Sequence, residues 1–216
     1  MKDDLLIQRP APATPPATEL LLLFHGVGSS AENLRPLGQA LAAQRPGAWV
    51  VNVRSPHPSE SGAGWQWFSV QGVTEANRRQ RVAAAMPAFL DKVSAWQRQS
   101  GVAPQRTTLI GFSQGAIMAL ESTQQSGAQP VSGRVIAIAG RLARPPIYAP
   151  ANTVVNLMHG DQDPVMPIGL AIEADSQLRA LGVPSTLDRF PGLGHVIDTK
   201  VVDAIVGRLN QAQEWP

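Results

Sequence analysis

The sequence predicts an α/β fold with a mostly parallel central sheet, flanked by helices and carrying no separate cap domain. Two observations lead there. Short runs rich in strand formers alternate with stretches of helical periodicity along the 216 residues, as in a parallel sheet whose strands are joined by crossover helices. The run Leu20-Leu21-Leu22-Leu23-Phe24 is apolar at every position, as a strand covered on both faces must be. A third observation places the chemistry. Thr107 to Gly111 reads as a strand, a helix-forming run begins after Ser113, and between them stands Gly111-Phe112-Ser113-Gln114-Gly115. Gly-x-Ser-x-Gly in that setting is the pattern of a nucleophile elbow, which lifts a serine hydroxyl clear of a sheet.

The elements follow in order. Leu5-Leu6-Ile7 is a short strand, and the proline- and alanine-rich stretch from Pro10 to Thr18 an extended connection. After the Leu20–Phe24 strand and the loop His25-Gly26-Val27-Gly28-Ser29-Ser30, Ala31 to Gln44 reads as a helix with Leu34, Leu37 and Leu41 on one face and Pro36 in its first turn. Ala48 to Val53 is a strand. Arg54 to Gly72 is a long loop containing Trp65-Gln66-Trp67-Phe68, and loops of that length in a compact domain are usually functional. Thr74 to Ser100 carries Val82, Met86, Phe89, Leu90, Val93 and Trp96 on one stripe, with Pro87 expected to kink or divide the helix. Beyond the elbow come a strand from Val131 to Ala139, an irregular stretch from Gly140 to Asn152, and a strand from Thr153 to Met158. A helix from Ile168 to Leu181, a strand from Ser185 to Phe190 and a final helix carrying Val196, Val201, Val202, Ile205 and Leu209 complete the chain.

Composition narrows the function. The length suits one domain over 1–216 with a proper core. Net charge is only +2, and the pI near 9.5 reflects arginine outnumbering lysine. Arg78, Arg79 and Arg81 form the one basic cluster and read as a solvated helix face, so no nucleic-acid partner is expected. The absence of cysteine excludes disulfides, thiolate zinc sites and a cysteine nucleophile. None of the four histidines pairs with another at helical i, i+3 or i, i+4 spacing, which leaves no metal site, and no cofactor is expected. Met1-Lys2-Asp3-Asp4 is acidic with no signal-length apolar region after it, and Leu20–Phe24 is too short to span a bilayer. The expectation is a cytoplasmic protein without stable membrane insertion.

A serine hydroxyl is a poor nucleophile at neutral pH, so it needs a base within reach and an acid to orient that base. The elbow motif goes with the chain order serine, acid, histidine. Ser113, Asp163 and His195 supply it, each just past a strand end. Asp161 is the second candidate acid and reads better as a turn-stabilising aspartate. His25 and His159 end strands and read as buried, hydrogen-bonded supports, while His57 reads as solvent-facing. The backbone N–H groups of Gln114 and Val27 are the expected oxyanion donors. Gly26 and Gly28 do not fit a phosphate loop, because no Walker spacing or Lys-Ser/Thr follows. Trp65, Trp67 and Phe68 either anchor their loop in the core or wall the acyl or alcohol pocket, together with Leu142 or Met166.

Taken together, Leu21–Gly28, Gly111–Gly115, His159-Gly160-Asp161-Gln162-Asp163-Pro164-Val165 and Gly192-Leu193-Gly194-His195 resemble the phospholipase/carboxylesterase family. That is the α/β-hydrolase group containing the acyl-protein thioesterases. Gln66 to Gly72 and Ile110 to Ser122 more narrowly resemble the bacterial YpfH-type esterases. The likeness covers nearly the whole chain. It implies the α/β-hydrolase fold, Ser113 as nucleophile, Asp163 as acid, His195 as base, Val27 with Gln114 as oxyanion hole, and a tendency to form homodimers. Two departures fall outside those residues. Ser29 stands where the family commonly carries an acidic residue, and Ser69 where it tends to carry aspartate; both bear on the substrate.

The expected activity is hydrolysis of short- to medium-chain carboxylic esters, small-molecule substrates, through an acyl-enzyme. An acyl thioesterase or lysophospholipase on the same fold is the alternative. A silent, hydrolase-fold binding protein is the reading from another class, and a retained Ser113, Asp163 and His195 argue against it.

Overall fold

A computed structural model describes residues 3–11, 19–60, 62–125 and 130–211. Seven strands make the main sheet: β1 (Leu5–Gln8), β2 (Glu19–Phe24), β3 (Ala48–Val53), and, after a small β4–β5 pair (His57–Pro58, Trp65–Gln66), β6 (Thr107–Phe112), β7 (Arg134–Ile138), β8 (Val154–Gly160) and β9 (Ser185–Phe190). Their order across the sheet is β1-β3-β2-β6-β7-β8-β9. Only β1 is antiparallel, against β3; every other neighbouring pair is parallel. This is the α/β-hydrolase fold.

Alternation within the strands sends neighbouring side chains to opposite faces. In β2, Leu20, Leu22 and Phe24 enter one apolar cluster and Leu21 and Leu23 the other, all fully buried. The first cluster is covered by α2 (Glu75–Ser100), α3 (Gln114–Ser122) and α4 (Gly169–Ala180), which contribute among others Phe89, Met118 and Leu178. The second is covered by α1 (Arg35–Gln44) and α5 (Thr199–Asn210), through Leu37, Leu41, Val201 and Ile205. Local signals set the helix ends. Thr74 caps α2 in a reciprocal box with Asn77, and Gly101 ends it at φ 70°. The Asp198 side chain caps α5 by accepting from the Val201 N–H at 3.0 Å.

Several expectations change. α2 continues through Pro87 as a single 26-residue helix, because its apolar stripe is buried along its length and outweighs one missing hydrogen bond. The strand expected from Val131 is shorter, Arg134–Ile138. Val196 lies ahead of α5 and is 52% exposed. The arginine cluster is not a uniformly solvated face: Arg78 pairs with Glu75, and Arg81 donates to the carbonyls of Ser69 and Gln71, fastening the long loop to α2. The long loop contains β4 and β5, paired antiparallel. Of the proline-rich connection, positions 12–18 lie outside the described residues. Among the described residues no helix is long and apolar enough to cross a membrane.

Candidate active site

Ser113 sits between β6 and α3 at φ 53° and ψ −114°, a backbone conformation that costs about 1–3 kcal/mol in a residue with a side chain. Its backbone is pinned on both sides. The Ser113 N–H donates to Ile138 O of β7 at 2.9 Å, and its carbonyl accepts from Ala116 and Ile117 at 3.0 and 3.1 Å. The flanking glycines follow from crowding. A Cβ on Gly111 would lie 2.4 Å from Gly115 O, across the turn. One on Gly115 would lie 2.2 Å from Phe24 O, so this glycine lets α3 approach β2.

Asp163 and His195 come together from the loops after β8 and β9. Asp163 Oδ2 stands 2.7 Å from His195 Nδ1. Its other oxygen accepts the N–H groups of Val165 and Met166, each at 2.8 Å. Burial would raise the Asp163 pKa, but the Met166 N–H, the His195 ring and the Val165 N–H together hold it below the ordinary carboxylate value. An ionised Asp163 accepts the Nδ1 proton, which leaves His195 Nε2 with a free lone pair. The His195 ring packs on Phe112, the residue before Ser113, with centroids 4.9 Å apart. The loops themselves interlock: Gln162 N–H donates to Leu193 O at 3.1 Å, and Asp161 Oδ1 accepts from Gly192 N–H at 2.7 Å. Asp161 therefore ties one loop to the next rather than closing its own turn.

The other histidines are held as supports. His25, 1% exposed, donates from Nδ1 to Gly26 O at 2.7 Å and accepts the Ser55 N–H at Nε2 at 3.2 Å. Burial lowers its pKa, so it is neutral. His159 is equally buried; its Nε2 donates to Met166 O at 2.6 Å and lies 3.6 Å from Asp163 Oδ2. His57 is exposed in β4. Among the described residues no group of three or more His, Cys, Asp or Glu is arranged to hold a metal ion.

The loop carrying Val27 closes on the elbow, since a Cβ on Gly26 would lie 3.1 Å from Ser113 Cβ. Neither Val27 N–H nor Gln114 N–H has a backbone acceptor among the described residues. The Gln114 side chain, 2% exposed, accepts the Trp67 N–H at 2.7 Å and donates to Phe68 O at 2.8 Å. Sequence reasoning missed this role, because elbow logic assigns only the backbone of that residue.

The five expected pocket residues are dispersed. Trp67, 1% exposed, is a core residue against Phe24 and Phe89, with ring centroids 6.1 and 5.1 Å away. That packing matches the core-anchor alternative, and Trp67 also borders the cleft lined by Phe68. Phe68 is buried and lines a cleft with His57 and Arg81. Trp65 is half-buried beneath the Arg54 guanidinium, 3.7 Å from its ring centroid. Leu142 lines a separate cavity of about 420 Å³ between α2 and α4. Met166 meets Asp163 and His159 through its main chain.

Comparison with known proteins places this geometry. Residues 7–212 match the family model described as phospholipase/carboxylesterase. The chain is 47% identical over 199 residues to esterase YpfH of Escherichia coli strain K12, covering 92% of this chain and 83% of that protein. It is 26% identical over 175 residues to acyl-protein thioesterase 1 of Saccharomyces cerevisiae, covering 74% and 76% of the two chains. The crystal structure of esterase PE8 superposes with a TM-score of 0.82 at 29% identity, covering 94% of this chain and 97% of the other. The chain thus belongs to the phospholipase/carboxylesterase family, as a carboxylic-ester hydrolase on the α/β-hydrolase fold.

Proposed function

We propose that hydrolysis runs through an acyl-enzyme on Ser113, with His195 as base, Asp163 as the orienting acid, and Val27 and Gln114 N–H as oxyanion donors. The observation that carries the reading is the 2.7 Å Asp163–His195 hydrogen bond beside a serine held at φ 53°. Ser113 Oγ attacks the ester carbonyl as His195 Nε2 takes its proton. The tetrahedral oxyanion is met by the two N–H groups, each worth about 3–4 kcal/mol in such sites. His195 returns the proton to the leaving alcohol, then draws one from the water that cleaves the acyl-enzyme. Small-molecule esters of short to medium acyl length are the proposed substrates.

The test is intact-mass spectrometry after fluorophosphonate treatment, followed by rates across acyl lengths. One adduct on the wild type and none on Ser113→Ala is expected. A folded wild type that takes no adduct removes the nucleophile from the reading, and a rate maximum at palmitoyl removes the chain-length assignment. The yeast thioesterase relative favours one second reading, a thioesterase at the same serine. Matched oxygen-ester and thioester pairs of one acyl group decide between them.

A further inference from the structure

We infer that the Gln114 side chain is a positioning residue that sets the spacing between the two oxyanion donors; this rests on the reading of Val27 and Gln114 N–H given above. The long loop lies as a strap between the two donors. At one end Trp65 is laced to the residues just after Val27: Gly28 N–H donates to Trp65 O at 3.0 Å, and Trp65 N–H to Ser29 O at 2.8 Å. Contact there is close enough that a Cβ on Gly64 would lie 2.1 Å from Gly28 O. Two residues further on, the strap meets the Gln114 amide through Trp67 N–H and Phe68 O.

The amide orientation is unambiguous, since a backbone N–H can only donate and a carbonyl can only accept. One residue therefore acts twice. On that reading its N–H serves the oxyanion, and its side chain fastens the strap whose other end holds the Val27 loop. A carboxylate of the same length would keep the acceptor for Trp67 and turn the donor facing Phe68 O into a second acceptor. A thioether would lose both bonds. Neither change removes the backbone N–H, so any effect on the oxyanion arises from its placement.

Misplacing catalytic groups by about an ångström costs on the order of a hundredfold. Gln114→Met is therefore expected to lower kcat roughly ten- to a hundredfold, with KM within about a factor of two. The inhibition constant of a trifluoromethyl ketone, whose hemiketal oxyanion occupies the donors, is expected to rise by the same factor as kcat/KM falls. Unchanged kcat, or a fall in kcat with unchanged ketone affinity, overturns the inference, because a merely structural contact would not track the oxyanion.

Gln114→Glu keeps the inference falsifiable if the methionine variant does not fold. A protonated carboxyl at this place can again donate to Phe68 O, so the variant's kcat as a fraction of wild type is expected to rise as pH falls. A flat ratio overturns the proposal. Failure of the underlying reading shows differently: wild type would take no fluorophosphonate, or Ser113→Ala would keep its turnover.

Discussion

Asp163 holds His195 with one carboxylate oxygen and its own loop with the other. Oδ2 is 2.7 Å from the imidazole Nδ1, while Oδ1 takes the N–H groups of Val165 and Met166. The carboxylate is fixed by its own loop, so the imidazole bonded to it inherits its direction from backbone.

Asp163→Asn separates these two tasks. The amide oxygen can keep the Val165 and Met166 donors, which points the NH2 at Nδ1 and forces the proton to Nε2. Under the proposed mechanism kcat should fall by about 10³–10⁴-fold while the melting temperature changes little. Steady-state rates and thermal melts check it; a loss under tenfold would remove Asp163 as the orienting acid.

Ser113→Gly tests the strained turn. Glycine adopts positive φ freely, so the variant sheds the strain but gains unfolded-chain entropy. The net expectation is about 1 kcal/mol of added stability, or roughly 2–4 °C in melting temperature for a chain of this size, with hydrolysis abolished. A less stable glycine variant would mean the serine side chain contributes more to the fold than its backbone costs.

The buried His25 gives a signature in pH. Its folded-state pKa is lowered by burial, so the fold holds it neutral while the unfolded chain titrates near about 6.5. Its contribution is fully present above that value. As pH falls through it, the unfolded chain takes a proton the folded one refuses, and stability declines towards the folded pKa. Melting temperature should therefore drop more steeply on acidification in the wild type than in His25→Gln. Parallel curves for the two proteins would show that His25 has no part in the acid limb.

What the sequence disclosed depended on whether a role was local. The elbow glycines and the fully apolar Leu20–Phe24 strand are short-range demands, and they were readable from residue type and spacing. The family followed from four motifs and their order. Arg81 was misjudged, the Gln114 side chain missed and Trp67 left between two roles because their partners lie elsewhere in the chain. Arg81 reaches back to Ser69 and Gln71, and Trp67 fills a gap between Phe24 and Phe89. No local pattern records those meetings. Asp161 was recognised as structural, but its partner Gly192 sits in the next loop.

The strand order distributes robustness unevenly. β6, which ends at the serine, is the fourth of seven strands and is buried at five of its six positions, whereas β9, which leads to His195, is the margin of the sheet and is mostly half-covered. Local opening in proteins starts where few neighbours must be broken. Amide protons of β9 should then exchange with solvent well before those of β6. Under the proposed mechanism, warming would disarm the enzyme from that margin inward: the imidazole drifts away first, while the strained serine turn stays assembled and ready for its return.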